Sequence, residues 1–504
     1  MSMMDITWTL SKLLVRKGSL NLGSTNALAP LFLVQAGSLS LNLFNLMDGI
    51  LEHIFVRIWN WFSRLGHRSL KGGLLIGSLV VDGRVTKKPI YIPQVTRAEH
   101  IVIAGKTGTG KSFFLRNCVL QDIRAGRGFL CTDYHNDLIP FIHSAIAAEE
   151  KRTGQDLSQR LIPIEPANTE FSVGINPLQA SHNQDRFVRN VGLVALLKER
   201  LGLEQFGAPT EELLRNSLYV LSENGLTLLE LPALLTHSAF RAQCLKRVTN
   251  LDVRDFFVDR FEQMSDAMKA VRREPVLNKI AEFVSDPHFK FIIGQRQSTF
   301  SMSDAMDGGA WITVDGNKAR LGKHSTTFGS LIFAQAANAI FRRACRDIFS
   351  IYCDEIQNLL TKDSEIDVLL AEARKFGVSV VSANQFSEQI PMKLRSAMGA
   401  VGTRIYFQLS GSDAQEAAAV MDGGKVLAEL LKNLPKRNFV AKTGHYSWLQ
   451  VEVPTLAIPQ TDYSDLLRRA RLANARRRED IERDIATRRP QAMVSTKEAL
   501  NAWE

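Results

Sequence analysis

The sequence predicts an α/β protein: a parallel sheet with helices on both faces, interrupted by an all-α block. Three observations predict it. Short apolar runs alternate with helix-period stretches on both sides of the middle of the chain. One of those runs ends in a Gly-rich loop that opens a helix. Between the two halves, the segment from Asp185 to about Asp286 has helical periodicity and few strand candidates.

The Gly-rich loop lies in "IVIAGKTGTGKSFFLRN", residues 101–117. An apolar strand, Ile101 to Ala104, stops at Gly105. Thr107, Gly108, Thr109, Gly110, Lys111, Ser112 and Phe113 then complete a G-x-x-x-x-G-K-S pattern and begin an apolar helix. Gly105, Gly108 and Gly110 let the backbone turn so that several N–H groups point at one anion. The helix start adds its positive end. Lys111 would reach the β- and γ-phosphates of a nucleoside triphosphate, and the Ser112 hydroxyl would ligate Mg²⁺. The cofactor set that follows is ATP with Mg²⁺.

A P-loop needs acids to hydrolyse anything. In "DIFSIYCDEIQNLL" an apolar strand ends in Asp354 and Glu355. Asp354 would hold a magnesium-bound water, and Glu355 would polarise the attacking water. The strand of "VSVVSANQ" (378–385) ends in Asn384 and Gln385, amides that can contact a γ-phosphate. Arg374, late in the preceding helix, is either a cation at a helix C-terminus or an arginine offered to a neighbouring subunit.

The rest of the chain sets the frame. Residues 1–68 hold an uncharged stretch from Gly18 to Met47, broken by Asn, Ser, Gly and Pro, in which no window is apolar enough to span a membrane. Leu43 to Trp59 recur at helical spacing. This amphipathic helix would pack on the protein or a second copy, or lie in a membrane interface. Residues 69–98 predict a small β unit with a hairpin at Asp82-Gly83. The core follows in two parts, 99–184 and 287–462, around the all-α insertion 185–286. Residues 463–504 are charge-dense and are expected to be a solvated helical tail with no specific partner.

With 504 residues, the chain is too long for one core. Its formal net charge of +10 and pI near 9.3 favour a polyanion partner over mere solubility. The five cysteines are dispersed with no C-x-x-C pair, which argues for a reducing cytosol and against zinc or a disulfide framework. Cys131 and Cys353 fall inside expected buried strands. No secretory signal is evident.

Taken in order, the P-loop, "DYHNDL", "NPL", the α block, "YCDE", "EARKFG", "SANQ" and "VGTRIYFQLSGSDAQEAA" resemble the HerA–FtsK superfamily of DNA-pumping ATPases, most closely type IV coupling proteins of the TraD/TraG kind. The resemblance covers residues 70–460. It implies a RecA-like P-loop core, Lys111 and Ser112 on phosphates and magnesium, and Asp354 and Glu355 as hydrolytic acids. It also implies Gln385 as the nucleotide sensor, and Arg374, with Arg404 as a second candidate, as the arginine presented across a subunit boundary. "DYHNDL" resembles the family's D-P-H-G-D-L, so Asp133, His135 and Asp137 are expected near the site, with Tyr134 and Asn136 replacing proline and glycine. The implied partners are double- or single-stranded DNA, five further copies in a ring, and a secretion channel or relaxosome. The implied location is cytoplasmic or peripheral at the inner membrane, although the family's membrane-spanning helix pair has no counterpart here. Two other readings remain: a protein-secretion ATPase, and a nucleotide-gated assembly scaffold with slow hydrolysis.

Overall fold

The computed structural model describes residues 73–179, 183–360, 366–385, 401–444 and 446–488. The expected amphipathic helix of 43–59 and the last part of the charged C-terminal segment lie outside the described residues.

Thirteen strands occur among the described residues: β1 (Leu74–Val81), β2 (Arg84–Ile92), β3 (Ile101–Ala104), β4 (Phe129–Asp133), β5 (Leu161–Ile164), β6 (Phe171–Ser172), β7 (Trp311–Asp315), β8 (Phe349–Asp354), β9 (Val378–Asn384), β10 (Thr403–Tyr406), β11 (Asn438–Thr443), β12 (Leu449–Glu452) and β13 (Arg476–Arg477). Eleven of them form one sheet in the order β2-β1-β12-β11-β10-β3-β9-β8-β4-β7-β5. The seven from β10 to β5 are parallel, and β11, β12, β1 and β2 extend the sheet antiparallel. The hairpin expected as a small β unit is therefore an edge of this sheet, joined through β12. Its turn is as the Asp-Gly pair predicts, with φ of 50° at Asp82 and 73° at Gly83.

The parallel strands are buried on both faces, which is why their sequences are nearly unbroken apolar runs. Side chains alternate between two cores. Ile101, Ile103, Cys131 and Tyr352 pack on one side, while Val102, Leu130, Ile351 and Cys353 pack on the other. The first core is closed by the P-loop helix Lys111–Arg124 and the helix Ile139–Thr153. Between them and the sheet lies a fully buried ionic cluster. Arg97 donates to both oxygens of Asp122 at 2.8 and 2.7 Å, and Tyr352 Oη donates to Asp122 at 2.6 Å.

The helical block runs from Asn183–Arg200 to Met302–Asp307, with no strand between β6 and β7 among the described residues. Its apolar residues, such as Leu197, Leu214 and Phe283, share a core with Leu130 and Ile162 of the sheet.

The charged C-terminal segment is not the solvated tail that its composition suggests. The helix Ser464–Asn474 covers the sheet edge at β5. There Asn474 Nδ2 donates to the Leu161 carbonyl at 3.0 Å, and Arg471 binds Glu165 with two bonds of 2.8 Å. β13 then pairs with β6. The last described helix, Arg478–Arg488, buries Ile481 and Ile485 against the helical block. Three arginines of the segment, Arg469, Arg471 and Arg488, meet the largely buried carboxylates of Glu150, Glu165 and Glu230 from distant parts of the chain, a pairing that composition alone does not reveal.

Candidate functional site

The loop between β3 and the helix Lys111–Arg124 is shaped by its glycines. Gly108 and Gly110 take φ of 78° and 125°, values that side chains rarely adopt. A Cβ on Gly105 would come within 2.6 Å of Phe407 Cβ. Thr109 folds inward, its hydroxyl donating to the Lys106 carbonyl at 2.8 Å, and its own carbonyl accepts from the Arg437 N–H at 2.8 Å. Lys111 Nζ donates to the carbonyls of Gly105 and Lys106 at 2.6 and 2.9 Å. The helix has Gly110 as its N-cap, with no capping side chain and no acid in its first turn. The N–H groups of Ser112 and Phe113 and the positive end of the helix thus serve an anion rather than a protein carboxylate. Phe113 contributes its backbone; its ring lies 4.4 Å beneath the Arg437 guanidinium.

β9 lies between β3 and β8, so the acids of β8 stand one strand away from the P-loop. Asn384, the last residue of β9, is in register with Ala104 and fully buried, and both atoms of its amide lack a hydrogen-bond partner. Leaving a buried amide unsatisfied is costly, so it is poised for a ligand at the phosphate end of β3. Gln385, expected as the sensor, is exposed. Of the two amides, Asn384 is the one buried beside the loop.

Asp354 and Glu355 arrive together at the end of β8. Burial, reinforced by Glu355, pushes the Asp354 carboxyl up to about 6, with Lys111 pulling the other way. Burial also lowers the Lys111 ammonium, against the attraction of Asp354 and Glu355. The strand order brings the three groups to the same end of the parallel sheet, with β9 between β3 and β8. Glu355 holds a left-handed backbone (φ 59°, ψ 60°), fixed by its N–H donating to Ala383 O at 2.8 Å. Its Oε2 accepts from Asn358 Nδ2 at 2.7 Å and lies 3.5 Å from both His135 Nε2 and Lys318 Nζ. Burial alone would raise this carboxyl; Asn358, Lys318 and His135 keep it below the usual range.

The "DYHNDL" loop divides its tasks. Asp133 is buried and accepts from the N–H groups of His135, Leu138 and Ile139, which shapes the turn and caps the next helix. His135 faces Glu355. Asp137 pairs with Arg116 on the P-loop helix. Asn136 takes φ 59°, the conformation a glycine would supply. Tyr134 fills a slot left open by Gly329 and Gly316, where a Cβ would meet its ring or hydroxyl at 2.0 and 3.0 Å.

The two arginines are elsewhere. Arg374 precedes β9 at the other end of the sheet, 62% exposed and 3.2 Å from Glu99, which precedes β3. The four residues of β3, roughly 13 Å of strand, separate it from its own P-loop. Arg404 sits within β10 opposite Val102 and Lys442, not at the loop. Sequence reasoning passed over Lys318, Asn358 and Arg437. Lys318 and Arg437 come from other parts of the chain and Asn358 from the turn that Glu355 begins, and no motif ties them to the phosphate site. Among the described residues no His, Cys, Asp and Glu group could by itself hold a metal ion.

No protein-family model matches the chain, and no curated protein matches it. Solved structures do. The bacterial conjugative coupling protein TrwBdeltaN70, in its unbound monoclinic form, aligns with a TM-score of 0.52 at 16% identity, over 80% of this chain and 94% of that one. The plasmid coupling protein TrwB with the non-hydrolysable GTP analogue GDPNP gives 0.51 at 15% identity, over 80% and 94%. A trigonal form of TrwBdeltaN70 with sulphate gives 0.50 at 14%, again over 80% and 94%. The chain has the α/β fold of these coupling proteins over nearly their full length.

Proposed function

We propose that this chain is an ATP-hydrolysing motor that moves double- or single-stranded DNA through a ring of six copies, each nucleotide site being completed by a neighbour's arginine. The observation that carries the reading is the convergence of Lys111, Asp354, Glu355 and the unpartnered Asn384 amide at the C-terminal ends of β3, β8 and β9.

In this reading Lys111 and the loop N–H groups bind the β- and γ-phosphates. Ser112 and, through water, Asp354 hold Mg²⁺, which supplies charge neutralisation at the phosphates when bound. The residues present fit such an ion: a hydroxyl at the helix start that follows β3, and a partly buried acid at the end of β8, with only β9 between the two strands. Glu355 orients a water and accepts its proton, and Asn384, with Gln385 beyond it, reads the γ-phosphate. The position of Arg374 supports a ring, because an arginine at the far end of the sheet can reach a phosphate only in another copy. Among the described residues, no helix is long and apolar enough to cross a membrane. A cytoplasmic site of action, or a peripheral one at the inner membrane beside a secretion channel or relaxosome, fits the fold likeness to conjugative coupling proteins.

The test is steady-state ATP hydrolysis by the purified chain, with Lys111→Ala as control, with and without long DNA across a salt series. Stimulation by DNA that fades as salt rises is the expected result. Turnover blind to DNA would point to a protein substrate instead. Nucleotide binding without turnover would point to a nucleotide-gated scaffold.

A further inference from the structure

We infer that Asn358 and Arg200 position Glu355, and that through Arg200 the helical block sets the orientation of this carboxylate. The inference rests on the reading of Glu355 as the group that activates water.

Glu355 begins a short 3₁₀ turn, Ile356–Asn358. Asn358 grips it twice, with its N–H on Glu355 O at 2.9 Å and its Nδ2 on Glu355 Oε2 at 2.7 Å. The oxygen Oε2 is thereby fixed, with His135 Nε2 and Lys318 Nζ each 3.5 Å from the same atom. The same segment is held from outside. Arg200 Nη2 donates to Asn358 O at 2.9 Å and to Leu360 O at 2.6 Å. Arg200 is the last residue of the helix Asn183–Arg200, whose Leu193, Val194, Leu196 and Leu197 are buried in the core shared with the helical block. That helix belongs to the block; the segment it grips belongs to the end of β8. A guanidinium that bridges two successive-turn carbonyls cannot rotate with its helix and leave the segment in place.

One face of the first half of this helix is open, with Phe187 and Val188 61% and 64% exposed, while Arg186 on the same half is tied to Ser222 and Glu223. Eighteen residues of helix, roughly 27 Å, thus connect an exposed surface to a peptide segment that touches the water-activating acid. Tilting this helix would draw the carbonyls of Asn358 and Leu360 with it and swing Glu355 Oε2. A shift of about 1 Å in a group that must meet a water in line with phosphorus is enough to change turnover by about a hundredfold.

The experiment compares wild type, Arg200→Met, Arg200→Lys, Asn358→Ala and the Arg200→Met/Asn358→Ala double variant. It reads kcat and KM for ATP, binding of a fluorescent ATP analogue, and thermal stability. Expected are a fall in kcat of about 10- to 100-fold for Asn358→Ala and for Arg200→Met, with KM and analogue affinity held within about twofold. Arg200→Lys should recover part of the loss. The double variant should fall no further than the worse single, because both act through one carboxylate. Full kcat in Arg200→Met, or losses that multiply in the double variant, would overturn the inference while leaving the ATPase reading intact. Wild-type chain without Lys111-dependent turnover would remove that reading and this inference with it. If Arg200→Met melts below the assay temperature, Arg200→Lys and Asn358→Ala carry the comparison.

Discussion

Arg488 Nη1 donates to Glu230 Oε1 at 2.8 Å across 258 residues of sequence, with the two side chains only 3% and 6% exposed. The other oxygen of Glu230 caps its own helix, accepting from Thr227 N and Thr227 Oγ1 at 2.7 and 2.8 Å. Arg488 also donates to Gly294 O. The end of the described chain is thus fastened to the helical block by a buried charge pair with little water around it.

Removing one partner of such a pair leaves the other buried and uncompensated. Arg488→Ala is expected to lower unfolding free energy by about 3–5 kcal/mol, read as a lower urea midpoint. Truncation before Ser464 should do more. It uncovers β5, a fully buried edge strand of sequence "LIPI", so the truncated chain is expected to aggregate where the full chain stays soluble.

Lys111→Ala should abolish turnover together with tight nucleotide binding. Glu355→Gln should keep nucleotide binding and lose turnover by about 10²-fold or more. Equilibrium binding of a fluorescent ATP analogue, measured beside phosphate release, separates the two. Equal loss of binding in both would contradict the division of roles.

Asp354 provides a pH test. Its carboxyl is raised from 3.8 to about 6 in the folded chain, so the folded state binds the proton more tightly than the unfolded state. The contribution of Asp354 to wild-type stability therefore falls as pH rises from about 4 to about 6 and is level above that range. Asp354→Asn has no such loss. Its melting temperature should exceed that of wild type at pH 8 by an amount corresponding to at most about 3 kcal/mol. The gap should close towards pH 4, and the variant should not hydrolyse ATP. A gap independent of pH would refute the assignment of the raised value to Asp354.

The Arg97–Asp122 cluster behaves in the opposite sense. Burial would raise the Asp122 carboxyl, but Arg97, Arg127 and the Tyr352 hydroxyl hold it below the usual value. Its stabilisation is present above the unfolded-state value near 4 and is lost as pH falls through the lower folded value. Asp122→Ala is expected to cost about 3–5 kcal/mol at neutral pH, with the difference from wild type shrinking in strong acid. Chemical denaturation at several pH values measures both.

Arg374 tests the ring. Arg374→Ala and Lys111→Ala should each be inactive, the former by about 10³-fold. Mixed and reassembled, they should recover activity, because some interfaces then join an intact P-loop to an intact arginine. A fully active Arg374→Ala chain would exclude the arginine from catalysis.

Local chemistry made much of this legible in the sequence. The P-loop is written in consecutive residues, because its anion site is made of backbone amides and one lysine on a single turn. The strands ending in Asp354 and Asn384 are mostly apolar runs interrupted only by serines, because both faces of a parallel sheet are buried. The Asp82-Gly83 turn follows from the two positive φ values it needs. Other features depend on which segments meet. Asn384 rather than Gln385 became the buried amide because of the register of β9 on β3. Lys318 reached Glu355 because β7 lies two strands from β8. The arginines of 464–488 found Glu150, Glu165 and Glu230 because the chain returns over the sheet edge, so a segment solvated by composition became buried by contact. The sequence by itself determined the phosphate loop, the strands and the acids, since each is encoded within a single run of neighbours. Only the tertiary structure decided what surrounds Glu355 and what secures the helical block, because charge pairs and hydrogen bonds between residues far apart in sequence leave no local pattern.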